Sequence, residues 1–382
     1  MWYLVFILLV ILSIYYYGLR SKFINVWIIG YYRKKLKDKF ESKSTGPKHI
    51  LFCFVDHYEP YQGGATKEVA DKRVKKWSDL YPEYASKYSD STGVHPQHTF
   101  FYPEEEYDVE LLDQISVLCQ NGFGETEIHL HHDNDTEQGF IDKINSFKTV
   151  LYDKHQLLYK VNGEIVFSFI HGNWALDNSG KDGKWCGINN EITLLKELGC
   201  YADCTMPSGP NECQTSTVNS IYYSIDDPCK PKSHDKGILV STASQPVSSD
   251  LMIIQGPISL SWKYRKLGIW PRIEYGDITP IDAIPIKNRI DMWVNENVHV
   301  TGCPEWVSVK VHTHGAIELN SEYLFEQGGF DDIHQYLENT YNDGVNYVLH
   351  YVTVRELYNI IKAAEDGNSG NPADYKNYII KK

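Results

Sequence analysis

His49-Ile-Leu-Phe-Cys-Phe-Val55, running directly into Asp56-His57-Tyr58-Glu59-Pro60, is the stretch on which the fold turns. An unbroken apolar run of this length, bounded by turn residues, is a strand buried on both faces, as in a parallel sheet. It ends in acidic and imidazole groups. The carboxyl ends of such strands are where parallel α/β folds keep their chemistry.

The same rhythm continues downstream. Residues 66–86 have helical composition, 98–103 read as a strand, and 108–120 form an amphipathic helix stopped by Asn121-Gly122. Next comes Glu127-Ile-His-Leu-His-His-Asp-Asn-Asp-Thr136, in which period two puts Glu127, His129 and His131 on one face and Ile128 and Leu130 on the other. Residues 141–155 predict a helix, 164–170 a strand leading into His171-Gly-Asn-Trp174, 190–198 a helix closed by Gly199, and 200–205 a strand. Between 221 and 290 the pattern is irregular, with short strands at 237–241 and 251–255. Residues 281–296 predict a helix, 306–311 a strand delivering His312-Thr-His314-Gly315, and 346–364 a strand followed by a helix. Strands separated by helices predict an α/β fold, most simply a distorted or seven-stranded (β/α) barrel over residues 48–364, with 365–382 as a polar C-terminal tail.

Upstream, residues 1–19 carry no charge and as a helix would extend roughly 28 Å, which predicts a transmembrane helix. Tyr15, Tyr16 and Tyr17 suit an interfacial belt. Residues 20–47 form a basic juxtamembrane segment and linker, with Arg20, Lys22, Arg33, Lys34, Lys35, Lys37 and Lys39, and the linker proper at 41–47. The positive-inside rule then predicts a single-pass protein with its barrel on the cytoplasmic face, the outer face being the alternative. Residues 23–32 are apolar but too short to cross, and are expected along the interface.

The chain has 382 residues and a formal charge of −13, which excludes a general nucleic-acid partner because phosphate affinity needs clustered Lys and Arg. Its 28 Tyr and 9 Trp suit either sugar stacking or core filling. The 8 cysteines show no paired C-x-x-C spacing, and Cys200, Cys204 and Cys213 do not make a zinc knuckle; buried free thiols in a reducing compartment are the simpler account.

Four strand ends carry functional groups: Asp56 with His57; His129, His131, His132 and Asp135; His171, Asn173 and Asp177; and His312 with His314. A barrel gathers such ends at one mouth. Neutral imidazoles among carboxylates are the usual Zn2+ ligands, so the constellation points to a metal-dependent hydrolase.

Phe54-Val-Asp-His57, Glu127-Ile-His-Leu-His-His-Asp-Asn-Asp135, Tyr201-Ala-Asp203 and Val309-Lys-Val-His312 resemble, in order and spacing, the motifs of polysaccharide deacetylases (carbohydrate esterase family four, the chitin and peptidoglycan deacetylase relatives), over residues 48–315. The resemblance implies N-deacetylation of an N-acetylated sugar or polysaccharide intermediate in cell-surface glycan metabolism. The family's first motif ends in two aspartates, a base and a metal ligand, where this chain has Asp56-His57. Its second motif supplies two histidines four apart, where this chain has His131 and Asp135. The exchange conserves two imidazoles and a carboxylate, so the implied ligands of a divalent metal, Zn2+ first, are His57, His131 and Asp135. His129, His132, His171 and His314 stand behind them or replace one of them, and Asp56 itself is a further alternative ligand. By the same resemblance Asp56 is the catalytic base, His312 protonates the leaving amine, and Asp203 holds His312 charged. The family's third motif brings an Arg to orient the base; the matching strand end here has none, and offers Asn173 and Trp174 as substrate contacts instead. The competing expectations are a catalytically inactive carbohydrate-binding barrel, or a metal-dependent hydrolase of another C–N or ester bond.

Overall fold

The computed structural model describes residues 2–41, 46–242 and 251–382. Seven parallel strands form the spine, in the order Trp306–Thr313, Lys48–His57, His98–Pro103, Gly124–Leu130, Glu164–His171, Cys200–Asp203 and Leu251–Ile254. The apolar Lys48–His57 strand has Trp306–Thr313 along one edge. Its other edge is shared, with Tyr347–Tyr351 along the first half and His98–Pro103 along the second. Antiparallel Ile221–Ser224 and Gly237–Leu239 extend the far side.

Among the described residues, regular strand pairing does not close the sheet. Its ends meet through other groups: Lys310 Nζ donates to Met206 O at 2.9 Å and to Cys204 O, and Gly256 lies so near Lys310 O that any Cβ would collide with it. The outcome is a curled, incomplete barrel.

Alternation along the strands divides the core in two. Ile50, Phe52 and Phe54 point outward with Phe100, Ile128 and Phe169, and pack beneath helices Lys67–Ala85, Val109–Gln120 and Glu137–Asp153. Thr66, Asp108 and Thr136 cap these helices through side-chain oxygens that accept from first-turn N–H groups. Leu51, Cys53 and Val55 point inward with Phe101, Ile170 and Met252, where Leu357, Ile360 and Ile361 of helix Val354–Glu365 cover them. Helices Glu318–Phe325 and Gly329–Tyr341 and the hairpin Ser259–Lys266/Trp270–Glu274 add to the expected elements.

The single-pass membrane placement, on either face, is overturned: among the described residues no helix is long and apolar enough to cross a membrane. Helix Trp2–Arg20 is followed by a turn and by helix Ile24–Phe40, whose apolar face lies on the domain rather than along an interface. Ile24, Trp27 and Tyr31 bury against Val218, Ile258 and Leu260, and Lys35 pairs with Glu296 at 2.9 Å. Tyr15 stacks on Trp270 of the hairpin, with ring centroids 4.9 Å apart. Of the linker expected at 41–47, residues 42–45 lie outside the described residues.

Residues 365–382 are docked rather than loose. Arg355 pairs with Glu125 at 2.7 Å and donates to the carbonyls of Lys376 and Ile380. Ile380 is buried in the inner core.

Candidate metal centre

Neighbours along a strand face opposite ways, so His57 leaves Lys48–His57 on the inner face and Asp56 on the outer. Tyr58 N donates to Phe101 O at 2.9 Å. That bond extends the pairing by one residue and keeps Glu59 on the side of His57. His129 ends the inner face of Gly124–Leu130 and His312 that of Trp306–Thr313, with His131 and His314 just beyond them. The rings converge at the carboxyl end of the sheet: the His57 centroid lies 5.0 Å from His129, 4.8 Å from His314 and 5.8 Å from His312, and His129 lies 4.6 Å from His131.

Glu59 organises this mouth. Its Oε1 lies 3.0 Å from His129 Nε2 and 3.3 Å from His131 Nε2. Each ring is held from behind, His129 Nδ1 at 2.8 Å from Ile170 O and His131 Nδ1 at 2.5 Å from Glu105 Oε1. A carbonyl or carboxylate can only accept, so each ring donates Nδ1–H to the group behind it, and each Nε2, facing the Glu59 carboxylate, either donates a second proton to it or shares a cation with it. Imidazoles oriented in this way by an acceptor on the far nitrogen are the usual support of a metal site. Glu59 also belongs to a second ligand-sized group with His57 and His314. Gly172 is part of the fit, since a Cβ there would collide with the His131 ring.

Burial and the neighbouring rings act against each other on the Glu59 carboxyl and together on the His57 imidazole. Burial works to raise the Glu59 carboxyl, but His129, His314 and His131 overcome it and hold the group below the usual range. Burial drives His57 well below the ordinary imidazole value, helped by His314, His129, His312 and His131. His312 is lowered in the same way, by burial and then by His314, and its Nε2 is buried without a hydrogen-bond partner. On the same side, burial raises the Asp277 carboxyl against the opposing influence of His314. Trp174 brings its ring to 6.5 Å from His57 on a short turn in which Asn173 and Trp174 take left-handed backbone angles, φ 54° and 57°.

Several expected roles are corrected. Asp56 does not enter the mouth: it is fully buried on the outer face, where its Oδ2 accepts from His98 Nε2 at 2.9 Å and its Oδ1 from Gly315 N at 2.7 Å. A Cβ at Gly315 would collide with that carboxylate and with Trp77. Asp56 therefore anchors the loop carrying His314 and is a positioning residue. Asp203 does not hold His312; its oxygens accept from Thr205 N at 3.0 Å and Thr205 Oγ1 at 2.7 Å. Asp135 lies away from His57 and His131, paired with Lys143 at 2.6 Å and standing 3.2 Å from His132 Nδ1. His132 and His171 turn to the outer face and meet each other there. Of the expected ligands, His57 and His131 do share the mouth, joined by His129, His312 and His314.

The groups missed in the sequence are Glu59, Glu105 and Asp277. Glu59 was within reach, lying two residues beyond His57 and so on the same face if the strand were carried one step further. Glu105 likewise follows the end of His98–Pro103. Asp277 sits in the irregular stretch, where nothing in the sequence pattern marks it.

No family model and no curated protein matches the chain. Among solved structures, a 4-alpha-glucanotransferase from Thermococcus litoralis is similar at a TM-score of 0.41 and 10% identity, covering 80% of this chain and 39% of that one. The chain thus spans well under half the length of that enzyme.

Proposed function

We propose that the protein is a divalent-metal-dependent hydrolase of carbohydrate, most simply an N-deacetylase of an N-acetylated sugar or polysaccharide intermediate. The observation that carries this is Glu59 Oε1 flanked by two Nε2 atoms whose rings are fixed from behind, at the carboxyl end of a parallel sheet. Glu59, His129 and His131 would hold the ion, a set of two imidazoles and one carboxylate that leaves room for water and substrate. Zn2+ held there would supply Lewis-acid activation of water and of a substrate carbonyl.

The remaining groups follow from their placement. His57 and His312, kept neutral by burial, are proton acceptors facing the open side. His314, within electrostatic reach of Asp277, hands a proton to the leaving amine. Trp174 offers a ring face to a sugar. The acetamide as the bond cleaved rests on the motif resemblance to polysaccharide deacetylases, with the base role moved from Asp56 to the inner-face histidines.

The test is acetate release from N-acetylated oligosaccharides by the full chain, with metal content measured in parallel. Expected are zinc-dependent release, loss on chelation and loss in His129→Ala. The engagement of Asp56 with His98 and Gly315 favours, second, a catalytically silent carbohydrate-binding barrel. Retention of sugar with no product from the metal-loaded protein would select that reading, and a product other than acetate would select another C–N or ester bond.

A further inference from the structure

A second set of ligating side chains lies on the opposite face of the same strand ends. His132 and His171 turn outward and meet Cys186 and Glu191, one ligand atom of each lying within 4.8 Å of the others. All four residues are buried. His132 Nε2 is 2.8 Å from His171 Nε2 and 3.2 Å from Glu191 Oε1, and Cys186 Sγ is 3.5 Å from Glu191 Oε2.

The surroundings aim these atoms inward. His171 Nδ1 is 2.6 Å from Gly172 O, which can only accept, so the ring proton sits there and Nε2 presents a lone pair. His132 Nδ1 faces Asp135 Oδ2 at 3.2 Å but without hydrogen-bond geometry, and Lys143 braces that carboxylate at 2.6 Å. Asp177 N donates to Glu191 Oε2 at 2.6 Å, which leaves Oε1 turned to the imidazoles. Two ring nitrogens and a carboxylate oxygen crowded into a dry space need a donated hydrogen or a cation among them. A proton on His132 Nε2 would serve His171 and Glu191 but leave His132 Nδ1 without a partner and Cys186 with S–H contacts of 3.5 Å to Ile188 O and Glu191 Oε2. A Zn2+ ion uses all four groups, and two neutral imidazoles with a thiolate and a carboxylate make the buried site neutral overall.

The chain around the cluster has a use for such a staple. Between the strand Glu164–His171 and helix Glu191–Glu197 the backbone has only three short 3-10 turns. Asn173, Trp174, Asp177, Asn178, Asp182 and Trp185 there all adopt positive φ. Little regular structure fixes the segment that presents Trp174 to the mouth.

We propose that His132, His171, Cys186 and Glu191 bind a structural Zn2+ ion that ties the 172–190 segment to the strand ends. With four protein ligands and no exposed member, the site is closed to substrate, unlike the mouth.

The mouth contains no cysteine, so cobalt substitution tells the two sites apart. The full chain, expressed in cobalt-supplemented minimal medium so that metal enters during folding, should show a near-ultraviolet thiolate-to-Co(II) charge-transfer band. The band should vanish in Cys186→Ser and persist in His129→Ala, and zinc-grown His129→Ala should retain about one Zn2+ per chain. A folded wild-type protein without the band, a band surviving in Cys186→Ser, or zinc-free His129→Ala overturns the proposal. If Cys186→Ser does not fold, the wild-type spectrum and the His129→Ala zinc content decide. Failure of the mouth reading alone would leave one ion with the thiolate band, whereas failure of this one would leave one ion without it.

Discussion

His131 and His132 are neighbours in the chain and belong to different places in the molecule. The side chain of His131 is 33% exposed and lies beside Glu59 on the inner face, while that of His132 is 1% exposed and lies beside Glu191 on the outer face. Both clusters combine imidazoles with one central carboxylate, and an acceptor behind Nδ1 holds His129 and His131 in one and His171 in the other. They differ in access, with His131 partly exposed at the mouth and every member of the other cluster buried, and in the thiol that the buried cluster adds. One step along a strand end thus separates a partly exposed histidine cluster from a buried one.

That contrast can be broken by substitution, beginning with the largest effect. Glu59→Gln should take hydrolysis to background in the acetate assay while thermal unfolding hardly moves; a variant that kept its rate would remove Glu59 from the centre of the mouth. Glu191→Ala should do the reverse, costing about 3–5 kcal/mol in denaturant unfolding because buried groups lose their charge partner. Unchanged stability there would erase the distinction between the clusters.

Asp203 sharpens the comparison from beneath, since Thr205 Oγ1 both donates to it and accepts from His171 N at 2.8 Å. Burial, partly offset by Thr205, raises the Asp203 carboxyl from 3.8 to about 7. A raised folded-state value means stability that is full below about pH 4 and lost as pH climbs to about 7. Asp203→Asn should therefore match the wild type in acid and exceed it above neutrality, by up to about 4 kcal/mol, in unfolding curves collected between those limits. A constant difference across the range would show that the carboxyl is ionised throughout. The mildest change is Glu105→Gln, which frees the His131 ring and should weaken metal binding at the mouth about 10–100-fold, measured by competition with a chelator, at unchanged stability.

Much of the framework was legible because period two and period 3.6 are written in apolar residues. The run beginning at His49, the stretch from Glu127 to His131 and the approach to His312 all became parallel strands with inner-face histidines. The site was legible only as far as parity reaches. His57 and His129 obey it, but Asp56 was assigned to the mouth by motif resemblance although its neighbour His57 already occupied the inner face. Beyond a strand end, direction depends on the next bond: the Tyr58 amide keeps Glu59 inside, and the turn at Asn134 carries Asp135 to Lys143. The N-terminal helix shows a different limit. Most described apolar side chains of helix Trp2–Arg20 are exposed, and the Tyr15–Trp270 stack that joins it to the hairpin is a contact that no local pattern encodes.

The placement of the first strand also has a consequence in time. His49 pairs with Trp306 on one side and Val348 on the other, so the most apolar strand of the sheet is made early and completed last. At roughly 5–20 residues per second on the ribosome, its second half meets His98–Pro103 within about ten seconds, whereas its first half and its other edge wait on the order of ten to fifty seconds for Trp306–Thr313 and Tyr347–Tyr351. Through that interval it keeps one edge unpaired and strongly β-forming, the kind of segment that chaperones shield and that aggregates when they do not. A chain cut short before residue 306 would never satisfy it, and should accumulate as insoluble material rather than as a smaller folded domain.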